Sequence, residues 1–281
     1  MNMPAAPSQL VQEVARGESI LASSELMPLS LGQRSAEWLM ADPFPHLVID
    51  NFFHDDTAHQ LAVAVPEFDA NTWHLYNSPI ERKRTLNAWD RLPPEFYKVI
   101  WELCSPAFVA QLETLTRCRL YPDFGLHGGG IHSHTRGGSL NVHMDYSLHP
   151  KLRLERRLNL IVYLTPDWNP AWGGSLELWD HDWVRNQPGR MKRAIEPVFN
   201  RAVLFDTTCQ SWHGLPDPLS CPDGVCRNSL AVYYLCDPRQ YTSSRGRALF
   251  APRRDQCNDA SVLDLIRRRS SVEHSHETYR T

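Results

Sequence analysis

No uninterrupted apolar run in the 281 residues approaches the roughly 20 that a membrane-spanning helix requires. The first thirty residues lack the charged start and compact apolar block of a secretory signal. Charge excess is lacking too: the formal net charge is −3, so no bulk basic field marks a nucleic-acid or membrane-surface binder. The local clusters Arg253-Arg254 and Arg267-Arg268-Arg269 read as solvated surface. Paired cysteines are also missing. The seven present, at 104, 118, 209, 221, 226, 236 and 257, are odd in number and scattered, which argues against a disulfide framework and for a reducing compartment. Cys221 and Cys226 have a loose metal-like spacing, but no second pair matches them. No internal repeat is visible. A soluble, cytoplasmic protein of open oligomeric state is expected. Its 42% apolar content and nine tryptophans suffice for a sizeable core in one large domain or two ordinary ones.

Residues 1–42 are polar and irregular, with short helices expected around Gln9–Ala15 and Ser35–Met40, and read as an N-terminal arm. Pro45–Phe53 is apolar and β-branched, as a first strand should be. His54-Asp55-Asp56 then opens an expected helix, Thr57–Val65, where a carboxylate is the ordinary N-cap. Residues 67–92, rich in Trp, Tyr and charge without a clean period, read as a long loop or a mobile hairpin of the kind that lies over sites. Apolar residues at helical spacing give two helices over Pro93–Leu115, separated at Ser105-Pro106. From Thr116 to about 240 the chain becomes a series of short β-type runs: Ile131–His134, Leu140–Tyr146, Arg157–Leu164, Gly174–Trp179, Ile195–Val198, Arg201–Phe205, Gln210–Gly214 and Asn228–Cys236. Such a series indicates a sandwich or barrel braced on one face by the earlier helices. A last helix is expected over Ala260–Arg269, and a disordered tail from Ser270. The domain reading is therefore an arm over 1–42, a main domain over 43–240 with its core at 128–237, and a C-terminal helix and tail over 241–281.

The chemistry centres on His143-Met144-Asp145. On a strand, alternate side chains share a face, so His143 and Asp145 project together while Val142 and Met144 point away. An imidazole and a carboxylate side by side are two legs of a metal site, and His213, on a later β-type run, is the candidate third. Two histidines and one carboxylate on one side of an octahedron suit non-haem Fe(II) and leave positions open for chemistry. His-x-Asp is short enough to arise by chance, and His54-Asp55-Asp56 is such a decoy. Further along, Arg227, Ser229, Ala231 and Tyr233 share a face of an apolar strand. An arginine pointing inward there is costly unless an anion meets it, and its planar fork suits a carboxylate. In Arg157–Leu164, Leu158, Leu160, Val162 and Leu164 make a core face, while Asn159, Ile161 and Tyr163 make the wall of a polar pocket.

In order, the landmarks are a Gly-rich approach strand, His143-x-Asp145, Arg157-Leu-Asn-Leu-Ile-Val-Tyr163-Leu, Asp167-Trp168, Trp172-Gly173-Gly174-Ser175-Leu176-Glu177-Leu178, Ile195-Glu196-Pro197-x-x-Asn200-Arg201, His213 and Arg227-x-Ser229. This span, from about Gly128 to Asp237, resembles the double-stranded β-helix (jelly roll, cupin-like) core of Fe(II)- and 2-oxoglutarate-dependent oxygenases, in the prolyl 4-hydroxylase-like branch. The resemblance implies a mainly β fold with flanking helices. It implies Fe(II) held by His143, Asp145 and His213, and Arg227 paired with the distal carboxylate of 2-oxoglutarate, helped by Tyr163 and Ser229. It also implies O2 as co-reactant and ascorbate as a reductant. Prolyl hydroxylases often place a tyrosine on the approach strand in contact with the cosubstrate; the corresponding position here is His134.

The activity so implied is hydroxylation of an unactivated C–H bond, with release of succinate and CO2. A prolyl residue, in a peptide or protein, or an amino-acid-like small molecule is the implied substrate. The presence of Asp145 favours hydroxylation over halogenation, because halogenating relatives carry a small residue there. Residues 67–92, Trp168–Trp183 and Gly128–Gly138 are expected to line the entrance, although Trp172, Trp179 and Trp183 individually read as core. Two rivals stand beside this reading. One is a cupin-like metal enzyme that uses no 2-oxoglutarate, which gives no reason for Arg227-x-Ser229. The other is a non-catalytic jelly-roll binding module, for which loss of a triad residue would have spoken.

Overall fold

The computed structural model describes residues 31–69, 71–208 and 210–271. The helix expected at Gln9–Ala15, most of the N-terminal arm and the tail beyond Ser271 lie outside these residues. After a 3-10 turn at Leu31–Arg34, the described helices are α1 (Ser35–Met40), α2 (Asp55–Ala64), α3 (Pro94–Leu103), α4 (Pro106–Thr116) and α5 (Ala260–Ser270). The strands are β1 (His46–Ile49), β2 (His74–Asn77), β3 (Glu81–Leu86), β4 (Tyr121–Pro122), β5 (Gly130–His134), β6 (Ser139–Met144), β7 (Glu155–Tyr163), β8 (Leu176–Asp182), β9 (Gln187–Ile195), β10 (Ala202–Asp206), β11 (Trp212–Leu215), β12 (Arg227–Cys236) and β13 (Leu249–Phe250). They form one curled antiparallel sheet, in the order β1-β10-β7-β12-β5-β3-β6-β11-β8-β9, with β2, β4 and β13 attached to β3, β12 and β6. Strands distant in sequence lie side by side, and the curl turns their inward faces toward one another, as in a jelly roll.

The aliphatic faces of β7 and β12 explain why the helices sit where they do. Leu158, Leu160, Val162, Leu230, Val232 and Tyr234 are buried in one cluster with Phe96, Val99, Ile100 and Leu103 of α3 and Phe108 and Leu112 of α4. Each such side chain contributes roughly 1.5–3 kcal/mol of burial, which is what fastens two short helices to a sheet. Ser105 caps α4 by accepting from Phe108 N at 3.3 Å, and Pro106 begins it. Tyr234 Oη donates to Leu103 O (2.9 Å), so the phenol at the centre of this core is satisfied.

Several local expectations are corrected. The first strand ends at Ile49, because Asn51 adopts φ +52° and turns the chain. Asp55 and Asp56 lie in the first turn of α2, and the cap position belongs to His54, which makes no side-chain capping bond. The carboxylates therefore favour the helix through its dipole and not as caps. Residues 67–92 contain the β2–β3 hairpin, one of the two expected forms, but β3 is inserted in the sheet between β5 and β6. The strand expected at Ile195–Val198 is instead the end of β9, a long and mostly exposed partner of β8. Trp183 is 78% exposed and is not core. After 240, β13 pairs with β6 and α5 packs against β13, so this segment closes one side of the sheet.

Candidate functional site

Val142 and Met144 face outward into a cluster with Trp212 and Ala251, which leaves His143 and Asp145 on the concave face of β6. The register of β11 against β6 sets His213 opposite His143, with ring centroids 4.4 Å apart. His143 Nε2 lies 3.7 Å from Asp145 Oδ1 and His213 Nε2 lies 3.9 Å from Oδ2. One ligand atom from each of the three residues falls within 4.8 Å of the others, and all three residues are buried. The outer ring nitrogens are both tied down: Nδ1 of His143 donates to Asn141 O and Nδ1 of His213 to Ser211 O, each at 2.9 Å. That fixes the tautomer and leaves each Nε2 lone pair directed at the same point, the arrangement that orients imidazole ligands of a metal. Phe250 stacks on His143 at 5.1 Å and Phe205 meets His213 edge-on at 4.7 Å, so neither ring can swing freely. The donor set fits a divalent transition metal such as Fe(II).

Arg156 completes this centre and was not singled out from the sequence. Its Nη1 lies 3.1 Å from Asp145 Oδ2, its Nη2 donates to His127 O (2.8 Å), and its guanidinium is held between the rings of Tyr146 and Tyr233 at 3.7 and 3.5 Å. Burial pushes the Asp145 carboxyl up, but Arg156 and the two histidines outweigh it and hold it well below the usual carboxylate range. Alternation back from Asn159 would put Arg157 on the cavity face. The register slips between the pairs Tyr234–Leu158 and Leu235–Arg156, and this bulge turns Arg156 inward. Arg157 instead pairs with Asp206 at 2.9 Å. Arg245 gives further support, donating from Nη2 and Nε to Asp145 O at 2.8 and 3.1 Å. Arg156→Met is expected to weaken divalent-metal affinity about 10–100-fold, as loss of a partner that orients a ligand does. Competition with a fluorescent chelator measures this.

The triad opens into a cavity of about 480 Å³ that also takes in His134, Asn159, Arg227 and Ser229. Arg227 begins β12 opposite His134 on β5, and Ser229 is paired with Tyr163 on β7. Arg227 is buried, its Nε donates to Gly174 O (2.8 Å), and it has no carboxylate partner among the described residues. Gly174 has φ +91°, and a Cβ there would stand 3.0 Å from Arg227 Cδ, so this approach requires glycine. Tyr163 is not on the cavity wall. Its ring lies 4.8 Å from the Arg227 guanidinium, and its hydroxyl is buried without a hydrogen-bond partner. Both ring nitrogens of His134 and Oδ1 of Asn159 are likewise buried and unpartnered. Burial and the nearby Arg227 hold His134 well below its ordinary pKa, so it is neutral. A buried cation and this many unanswered polar atoms around one cavity call for a polar, anionic ligand.

The entrance differs from expectation. The β2–β3 hairpin and the 127–134 approach line it, but of Trp168–Trp183 only Leu176 does. The segment 246–250 and Arg269 of α5 take that place. These were missed because β13 is only two residues long and its flanks have no periodic pattern.

Residues 129–235 match the 2OG-Fe(II) oxygenase superfamily. That stretch, under half of the chain, is similar to the oxygenase domain of that superfamily. Over 79 residues, 28% of the chain, it is 37% identical to prolyl 3-hydroxylase OGFOD1 of Xenopus laevis, covering 15% of that protein. Over 213 residues, 75% of the chain, it is 27% identical to the OGFOD1 of Mus musculus, covering 36% of it. The chain thus spans well under two thirds of the length of these relatives. A prolyl 4-hydroxylase structure from Phytophthora capsici has a TM-score of 0.53 at 18% identity, covering 93% of this chain and 84% of that one. The 2-oxoglutarate-dependent epimerase SnoN, of nogalamycin biosynthesis, has a TM-score of 0.50 at 14% identity, covering 80% of this chain and 86% of that one. Both show a shared jelly-roll fold. The match disfavours a cupin-like enzyme independent of 2-oxoglutarate and a non-catalytic module. Among the described residues no helix is long and apolar enough to cross a membrane.

The cavity also predicts how the apoprotein responds to acid. Burial, reinforced by Arg156 at His127, by Lys83 at His132 and by His143 at His213, lowers these imidazoles to about 4, 3 and 4 from 6.5. Between these values and 6.5 the unfolded chain binds more protons than the folded one, so stability present above pH 6.5 is lost as pH falls toward 4. The melting temperature of metal-free protein is expected to fall steadily over that window, as calorimetry would show. A flat profile between pH 6.5 and 4 would contradict the burial of neutral histidines.

Proposed function

We propose that the protein is a non-haem Fe(II)- and 2-oxoglutarate-dependent dioxygenase that hydroxylates an unactivated C–H bond, releasing succinate and CO2. The observation that carries this reading is a single cavity holding a His-Asp-His triad with both Nε2 atoms free and, on another wall, a buried arginine without a carboxylate partner. His143, Asp145 and His213 would hold the iron. Arg227 would take the distal carboxylate of 2-oxoglutarate, with the Ser229 hydroxyl as a second donor and with His134 and the buried Tyr163 hydroxyl beside it. Bound iron supplies the activation of O2 and the oxidative decarboxylation of the cosubstrate. The chain's own part is placement and exclusion. Asn141 O and Ser211 O hold the two imidazoles in the ligating tautomer, Arg156 keeps Asp145 ionised, and the Phe250 and Phe205 rings keep water from the backs of the histidines. All of this keeps reactive chemistry away from bulk solvent.

The names of the curated relatives support a prolyl residue as substrate, and an amino-acid-like small molecule fits the same cavity. The fold alone does not decide, since the structurally similar SnoN is an epimerase. Scattered cysteines support a reducing, cytoplasmic setting, and ascorbate would serve to keep iron reduced. The working domain would be 43–240, with its core at 128–237. Protein purified without oxygen, loaded with Fe(II) and then aerated should convert 2-oxoglutarate to succinate, faster with an accepted prolyl peptide. No conversion at any Fe(II) concentration would count against the proposal.

A further inference from the structure

The triad, Arg156 and Arg227 leave one stretch of the cavity wall without a task. It is built from β2, β3, the segment 246–250 and α5, and it presents Tyr76, Lys83, Arg247 and Arg269 with a single carboxylate, Glu81. Around the whole cavity five basic side chains face two acidic ones, Glu81 and Asp145. Asp145 is answered by Arg156 at 3.1 Å. Glu81 is shared, with Oε1 3.3 Å from Arg269 Nε and Oε2 3.8 Å from Lys83 Nζ. Arg227 would be answered by 2-oxoglutarate, and the charges of that dianion and a divalent metal cancel. Positive charge on the Tyr76 wall therefore exceeds what its own carboxylate can neutralise.

Arg247 is the clearest surplus. No carboxylate pairs with it among the described residues, and its Nε is buried with no hydrogen-bond partner. Lys83 Nζ, 5.2 Å from the Tyr76 ring centre, has only 13% of its side chain exposed. Burial pulls both cations toward their neutral forms, and at Arg247 the charge of Arg269 adds to that pull. Lys83 has a share of Glu81, but Arg247 has no counter-charge among the described residues, and such a cation in a half-closed cavity is unfavourable unless a ligand brings the charge. The site lies beside the reacting centre, because Phe250, three residues after Arg247, stacks on His143. Lys83 and Arg247 both lie near Tyr76, and a planar guanidinium suits an oxyanion.

We propose that Arg247, with Lys83 on the same stretch of wall, binds an oxyanion carried by the substrate, a carboxylate or a phosphate, so that the molecule oxidised is itself an anion. This rests on the 2-oxoglutarate reading of the Arg227 end, since it takes the remaining wall as the substrate's. The full chain, loaded with Fe(II) under nitrogen and saturated with 2-oxoglutarate, is titrated calorimetrically with N-acetylglycine, its neutral amide N-acetylglycinamide, and inorganic phosphate. N-acetylglycine is expected to bind at least tenfold more tightly than the amide. Arg247→Gln and Arg247→Met are each expected to erase that preference while leaving 2-oxoglutarate affinity within about threefold. Phosphate binding more tightly than N-acetylglycine, and through Arg247, would name phosphate as the group. Equal binding of acid and amide, or a preference that survives both substitutions, would overturn the proposal. If wild-type protein failed to bind 2-oxoglutarate, the oxygenase reading would fall instead. The acid and amide comparison, repeated without cosubstrate in the same Arg247 variants, would still decide the anion site.

Discussion

Asp145→Ala is expected to abolish Fe(II)-dependent conversion of 2-oxoglutarate, lowering succinate formation at least about 1,000-fold, or roughly 4 kcal/mol in the barrier. Two effects combine. The metal would lose its only carboxylate and with it one corner of the facial set. Arg156, which lies 3.1 Å from Asp145 Oδ2 and is almost wholly buried, would lose its counter-charge. An uncompensated buried charge costs about 3–5 kcal/mol of stability, so the variant should also melt lower. Asp145→Asn separates the effects, because it keeps volume and a hydrogen-bond acceptor for Arg156 while weakening the metal. Hydroxylation retained by the alanine variant would remove Asp145 from the site.

Arg227→Met should do something different. The dissociation constant for 2-oxoglutarate is expected to rise about 100–1,000-fold, the equivalent of roughly 3–4 kcal/mol for loss of one partner of a buried, hydrogen-bonded charge pair. Metal affinity should barely change, since Arg227 does not touch the triad. The free protein should be as stable as wild type or more so. Arg227 is buried against the Tyr163 ring with Gly174 O as its hydrogen-bond acceptor, so the apoprotein carries the cost of an ion whose partner arrives only with the ligand. A higher melting temperature together with weaker 2-oxoglutarate binding would be the signature of a residue kept for function. A lower melting temperature with unchanged 2-oxoglutarate affinity would mark Arg227 as structural.

Much of this centre was legible in the primary structure because strands alternate. Val142 and Met144 had to join an apolar cluster on the outer face of the sheet, so His143 and Asp145 had to face the cavity. The Leu158–Leu164 face likewise predicted the sheet side that α3 and α4 cover. Where alternation breaks, side chains face the cavity without a sequence signal. Arg156 enters the site only because a bulge at Arg157 reverses the phase. Strand β3, Glu-Arg-Lys-Arg-Thr-Leu, resembles a solvated segment, yet it is inserted between β5 and β6, with Glu81, Lys83 and Thr85 lining the cavity. An exposed partner strand such as β9 carries no apolar face to announce it. The contribution of 246–250 depends on a two-residue strand whose register is set by β6, which is a tertiary contact and not a local preference.

Metal and cosubstrate sites that share one cavity should be coupled in binding. Equilibrium binding of 2-oxoglutarate should therefore be measured without oxygen, on metal-free and Fe(II)-loaded protein side by side. Binding at least tenfold tighter with Fe(II), and lost in His213→Ala, is the predicted result. Binding indifferent to the metal, or absent in its presence, would contradict it.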